Sequence, residues 1–324
     1  MTAAIRIHEH GSPEVMRLED VSTPTPGPGE VLVRQGAAGV NYRDVYVRKG
    51  LYAGPPLPSG LGFEGAGTVE AVGSGVVAVK PGDRVACVGP DNAYAVHRIV
   101  PAGRCVVLPS AISDRTAAAM MVRGMTARYL LFATHKLQRG ETILVTAAAG
   151  GVGLILTQWA KHLGAIVIGT VGSAPKVATA RAHGCDEVLV LDGGEFSGRV
   201  RELAGGKGVD VVYDSVGRDT FEASLKSLRP RGAMIVYGTS SGEPEPIAPR
   251  RLNLMGSLHL TYPGLPHYTA SRAELEETAR DLFEVVAAGT VKIAIGQSYT
   301  LADAAQAHRD LESRKTTGST ILLP

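Results

Sequence analysis

In TILVTAAAGGVG, residues 142–153, an apolar run ends in three alanines and is followed by three glycines within four positions. LILTQWAKHLG comes next and has the pattern of a helix. A strand, a glycine turn and a helix in that order make the dinucleotide-binding arrangement. Glycines let backbone N–H groups approach a pyrophosphate with no Cβ in the way, and the helix N-terminus adds open donors and a partial positive charge. The GxGxxG fingerprint stands here as Ala148, Ala149, Gly150, Gly151, Val152 and Gly153, with alanine at the first glycine position. Ala148, Gly150, Gly151 and Val152 are the expected pyrophosphate contacts, and Gly153 is expected to let helix and strand pack closely.

The second strand should identify the cofactor. In NAD binders an acid roughly 20 residues past the glycines holds the adenosine ribose. Here that strand ends in IGTVGSAPK, 168–176, which contains no acid and offers Thr170, Gly172, Ser173 and Lys176. A carboxylate would repel a 2′-phosphate, whereas hydroxyls, N–H groups and an ammonium stabilise one. The expected cofactor is NADPH.

These residues need elements to hold them. From about residue 140 apolar strands alternate with helices through GAMIVYGT, and SLHLTY, 257–262, offers a sixth strand. That rhythm predicts a parallel sheet covered by helices on both faces. The first third reads instead as antiparallel strands bounded by Gly, Pro and Asp, followed by a helix over 113–135 with Ser113 or Asp114 as its cap. A helix at about 271–288, a strand VKIAIGQSYT, a helix over 301–313 and a last strand GSTILL could return to the first domain. The expected division is 1–124, 125–262 and 263–324. The class is α/β, with a nucleotide-type domain inserted into a β domain.

Composition narrows the function. The chain has 324 residues, 44% hydrophobic and 20% charged, with a net charge of +2. Such a balance gives no general field for nucleic acid or membrane. No signal-peptide pattern or apolar membrane span is expected, and the location expected is cytoplasmic. The three cysteines form no CxxC pair.

The motifs AAAGGVGLILTQWAKHLGA, VVYDSVGRDTFEASL and GTSSG resemble those of the zeta-crystallin-like quinone oxidoreductases, in the zinc-free branch of the medium-chain dehydrogenase/reductase superfamily. GVNYRDVYVRKGLY and LPSGLGFEGAGTVEAVGSGV match the same family's N-terminal domain, so the resemblance runs from about residue 3 to 324. It implies a GroES-like antiparallel β domain, a doubly wound Rossmann domain, NADPH, a quinone or other conjugated carbonyl as acceptor, and a homodimer through the Rossmann sheet edge. It also implies that Asn41 faces the nicotinamide and that Tyr46 and Tyr52 line the acceptor pocket. Met125 and Thr126 are implied at the nicotinamide end, with Ser215, Tyr237, Gly238 and Thr239 at strand ends, Gly217 beside them, and Arg314 near the adenosine phosphate. Asp44 is read as a turn or helix cap.

Zinc alcohol dehydrogenases carry a cysteine near residue 41 and a histidine near 63, where this chain has Asn41 or Tyr42 and Phe63. No metal is expected. Leu191, followed by Asp192, stands where relatives place an adenine-stacking tyrosine, and Met255 and Tyr262 stand where they place basic residues. Two other readings are an NADPH-dependent enal or enone double-bond reductase and a non-catalytic NADPH-binding protein, structural or RNA-binding.

Overall fold

The strand Glu30–Val40 is buried at most of its positions, with Arg34 and Gly36 exposed, and pairs antiparallel with three neighbours, which makes it the spine of the first unit. The computed structural model describes every residue except Asp192 and Gly194. In chain order this unit contains β1 (Thr2–Ile7), β2 (Met16–Val21), β3 (Glu30–Val40), α1 (Tyr42–Arg48), β4 (Ser59–Gly60), β5 (Glu64–Val72), β6 (Arg84–Val88), β7 (His97–Pro101) and β8 (Cys105–Val107). It ends within α2 (Asp114–Tyr129), where the division falls after Arg123. Ser113 caps α2, its hydroxyl accepting from the Thr116 N–H at 3.1 Å. Beyond Tyr129 one π-helical turn, Leu130–Thr134, completes the expected helical stretch.

The second unit alternates strand and helix: β9 (Thr142–Val145), α3 (Gly151–His162), β10 (Ile166–Val171), α4 (Lys176–Ala182), β11 (Glu187–Val190), α5 (Ser197–Leu203), β12 (Val209–Asp214), α6 (Phe221–Ser227), β13 (Leu228–Val236), α7 (Pro249–Leu254) and β14 (His259–Thr261). All neighbours are parallel, in the order β11-β10-β9-β12-β13-β14. The chain starts in the middle, works outward to one edge and then fills the other side. This is the doubly wound Rossmann order, which opens a crevice at the carboxyl ends where the direction reverses, here between β9 and β12. The central strands are apolar runs because both sheet faces are covered. Ile143, Leu144, Val145, Val211 and Val212 are fully buried.

The chain then forms α8 (Arg272–Ala287), β15 (Ile295–Thr300), α9 (Ala304–Glu312) and β16 (Ser319–Leu323). β16 pairs antiparallel with β3, so this segment belongs to the first unit. Its start differs from the expected residue 263, because residues through Ala270 stay with the parallel sheet, as do Ala288–Lys292. Side-chain contacts explain both. Tyr268 stacks on Tyr129 with ring centroids 4.5 Å apart, and Gln158 both donates to Lys292 O and accepts from its N–H.

Candidate active site

β9 ends at Val145, and the chain turns through Ala147 at φ 50°, in the left-handed region. Ala148 is not left-handed. Its N–H donates to Thr170 O at 2.9 Å, and its methyl lies over Gly169, where an added Cβ would come within 2.8 Å of it. Alanine is tolerated at the first glycine position because Ala147 takes the strained conformation and Gly169 provides the room. Gly150 then caps α3 in extended conformation with no side chain bonded to the first turn, which leaves its N–H groups to an anion. A Cβ at Gly153 would come within 2.5 Å of Ala147 O and 2.8 Å of Ala148 Cα. The turn is thus a cradle that side chains would fill, and it fits a pyrophosphate.

Around this cradle stand the other carboxyl ends. Thr170, at the end of β10, is fully buried and its hydroxyl has no hydrogen-bond partner among the described residues. Gly172 has open space where a Cβ would project. Lys176 opens α4, and its N–H donates to Ser173 O at 3.1 Å. At the end of β12, Asp214 is fully buried and accepts from the N–H groups of Val216 and Gly217 and from the hydroxyls of Thr146, Thr220 and Ser224. It fixes the Ser215–Gly217 turn beside the glycine cradle. Sequence reasoning passed over Asp214, although an acid closing an apolar strand just before a glycine was the available signal. Tyr237 donates its N–H to Asp214 O at 2.8 Å, and burial raises its phenol pKa. A Cβ at Gly238 would meet Ser215 O at 3.0 Å, and Thr239 donates to Glu243 at 3.3 Å. Within α2, Met125 is fully buried and Thr126 nearly so. Leu191 and Met255 pack against the hydrophobic cluster of this unit, an apolar role that accounts for their departure from polar types. Tyr262 is exposed, and Asp192 lies outside the described residues.

The first unit presents a tyrosine row. Asn41 is the N-cap of α1, and its N–H donates to Asp44 Oδ2 at 2.8 Å. Asp44 therefore acts as a cap, and burial pushes its carboxyl up to about 7. Tyr42, Tyr46 and Tyr52 follow one another, with centroids 6.2 Å and 4.9 Å apart. Tyr42 was overlooked as a member of this row. Burial raises the Tyr42 phenol pKa, and the charge of Arg314, whose backbone is left-handed at φ 59°, opposes that shift. Asn41 Nδ2 donates to Glu64 Oε1 at 2.8 Å. The same carboxylate accepts from Arg123 Nη1 at 2.8 Å and from the Val122 N–H at 2.6 Å. Burial pushes the Glu64 carboxyl up, with Arg123 opposing the shift.

These contacts test the place for a metal. Phe63 has no lone pair and lies under the Arg43 guanidinium, 3.8 Å from its ring centroid. The Asn41 amide is donating to Glu64, whose oxygens already take three donors. This donor set does not fit zinc. Among the described residues no group of three or more His, Cys, Asp or Glu is placed to hold a metal.

Residues 27–141 match the alcohol dehydrogenase GroES-like domain and residues 151–284 the zinc-binding dehydrogenase family. Together with the Rossmann order and the glycine cradle, these matches define a two-unit dehydrogenase/reductase of the medium-chain type. Over its full length the chain is 47% identical to a quinone oxidoreductase of Pseudomonas aeruginosa, all of which it covers. It is 44% identical to a 2-haloacrylate reductase of Burkholderia, with 100% of this chain and 99% of the relative covered. A crystal structure of Escherichia coli quinone oxidoreductase complexed with NADPH superimposes with a TM-score of 0.97 at 45% identity, covering 99% of this chain and 100% of the other. The chain belongs to the quinone oxidoreductase family.

Proposed function

We propose that this chain is a zinc-independent NADPH:quinone oxidoreductase. The observation that carries the reading is the Ala147–Gly153 turn, where backbone occupies the space of side chains and α3 offers an uncapped N-terminus to a pyrophosphate. The family membership and the NADPH complex of the E. coli relative support it. Bound NADPH supplies a hydride from its reduced nicotinamide. The residues of the chain bind and orient. Ala148, Gly150, Gly151 and Val152 hold the pyrophosphate; Thr170, Gly172, Ser173 and Lys176, with Arg314, hold the adenosine end and its 2′-phosphate. Ser215, Tyr237, Gly238, Thr239, Met125 and Thr126 line the way to the nicotinamide, which Asn41 faces. Tyr46 and Tyr52 direct hydroxyls at the acceptor's carbonyl oxygens, and a tyrosine hydroxyl or solvent protonates the reduced oxygen. A quinone is electron-poor enough that orientation does most of the work.

Loss of reduced-nicotinamide absorbance with NADPH or NADH, with and without 1,4-benzoquinone or 9,10-phenanthrenequinone, tests the proposal. Quinone-dependent oxidation much faster with NADPH is the expected result. Binding of NADPH with no quinone turnover would overturn it. The 2-haloacrylate relative favours a second reading, reduction of a conjugated carbon–carbon double bond. Turnover of a 2-haloacrylate but not of quinones would select that reading. We also infer a cytoplasmic homodimer: among the described residues β14 pairs only with β13, which leaves its outer edge for a second copy. A monomeric mass in sedimentation would exclude that dimer.

A further inference from the structure

Cys87 and Cys105 are direct register partners across β6 and β8, both fully buried, with Sγ atoms 3.1 Å apart. Opposite residues of an antiparallel pair have Cα atoms about 4.5–5.5 Å apart, within the range a disulfide requires. β8 has three residues and ends its sheet, so opening one short edge strand exposes both thiols. A second observation lies beside them. Arg98 is 2% exposed; its Nη2 donates to Cys87 O at 3.2 Å, while Nε and Nη1 are buried with no hydrogen-bond partner among the described residues, carboxylates included. A guanidinium cannot shed its proton, and an unpaired buried charge is strongly unfavourable. Glu64, which feels the same charge, is committed to Asn41, Arg123 and Val122. The acid at hand is a cysteine. Arg272, which donates to the carbonyls of Ala102, Gly103 and Cys105, and Arg104, which donates to Val88 O, add positive charge around the pair.

We propose that Cys87 and Cys105 form a redox-active dithiol, with Cys87 held as a thiolate against Arg98 and Cys105 donating its S–H to it, and that hydroperoxides convert the pair to a disulfide. The directions of their acidities agree. The hydrogen bond from Cys105 and the charge of Arg98 lower the Cys87 pKa, and the same contact raises that of Cys105. Burial and Asp186 push Cys185 up to about 12, leaving it an inert internal control. In the first step the Cys87 thiolate attacks the hydroperoxide. An S–O bond forms to the terminal peroxide oxygen, which keeps its hydrogen, the O–O bond breaks, and the alkoxide takes a proton from solvent to leave as the alcohol, giving the sulfenic acid. In the second step the Cys105 sulfur attacks the Cys87 sulfur. The S–S bond forms, the S–O bond breaks, and hydroxide leaves with the Cys105 proton as water. The two thiols lose two electrons and the peroxide gains them.

The test treats the full chain with hydrogen peroxide and reads intact mass and peptide map. The expected result is loss of the mass of two hydrogens, a Cys87–Cys105 cross-linked peptide, an alkylatable Cys185, and recovery with dithiothreitol. Cys87 and Cys105 both alkylatable after denaturation, with oxygen gained elsewhere, would overturn the proposal. In R98M the rate of cross-linking should fall roughly tenfold or more; an unchanged rate refutes the thiolate assignment. Where R98M does not fold, C105S, which keeps a hydroxyl donor beside Cys87 and removes the resolving sulfur, decides with a sulfenic-acid trap: label on Cys87 is expected, and no label refutes the proposal.

Discussion

Under the proposed function, Lys176 is the residue expected to set cofactor choice. It opens α4 immediately past the acid-free end of β10, with Ser173 one turn before it. An ammonium there attracts a 2′-phosphate and is indifferent to a ribose hydroxyl. K176E should therefore weaken NADPH binding by roughly tenfold or more and leave NADH binding within about twofold, measured as Kd by nucleotide fluorescence. Equal loss for both cofactors would show that the position acts through the fold. The acid-free stretch was legible because a charge is a property of the residue itself. Asp214 was less so: its importance comes from five donors on Thr146, Val216, Gly217, Thr220 and Ser224 converging on one carboxylate, and only the folded turn reveals that convergence.

The element that matters most is the β9–turn–α3 unit. Its order was plain from an apolar run, a glycine cluster and a helical pattern, because those signals are local. What makes the turn work is not local. Ala147 carries the left-handed φ, and Gly169 on the neighbouring strand makes space for Ala148. The return to the first unit at Ser271 was missed for the same reason, since the Tyr129–Tyr268 stack joins residues far apart in the chain. Two glycine substitutions separate close packing from open space. G153A drives a Cβ into Ala147 O at 2.5 Å, against backbone that cannot swing away, and should cost about 1–3 kcal/mol in urea unfolding and weaken NADPH binding. G172A meets nothing within 4 Å and should stay within about 0.5 kcal/mol of the parent. Equal effects of the two would mean that the seat of α3 is not the tight contact described.

At the scale of the whole molecule, a buried chain of polar groups in the first unit joins two titratable groups whose contributions to stability respond to pH in opposite directions. Arg48 Nη1 donates to His308 Nδ1 at 3.0 Å, so His308 carries its proton on Nε2 and donates to the Tyr94 oxygen at 3.1 Å; Tyr94 donates to Asp44 Oδ2 at 2.9 Å. Burial, with the charges of Arg48 and Lys49, lowers His308 from 6.5 to about 3, and burial raises Asp44 from 3.8 to about 7. The two shifts oppose each other in their effect on stability. Between about pH 4 and 6.5 folded Asp44 keeps a proton that the unfolded chain has lost, so its contribution falls as pH rises by about 1.4 kcal/mol per unit. Over the same window unfolded His308 holds a proton that the folded state lacks, so its contribution rises with pH by about the same amount. In the parent protein the pair nearly cancels. D44N removes the aspartate from the balance and keeps its shape, so the histidine is left alone. Its stability relative to the parent should drop by about 1.4 kcal/mol for each unit of acidification across that window, and it should exceed the parent's near neutral pH. Urea unfolding of both proteins at several pH values reads this directly, because every other group titrates alike in the two and drops out of the difference. Parallel profiles would show that Asp44 stays ionised in the folded protein, and the buried chain would then hold a charge at its Tyr94 end rather than a proton.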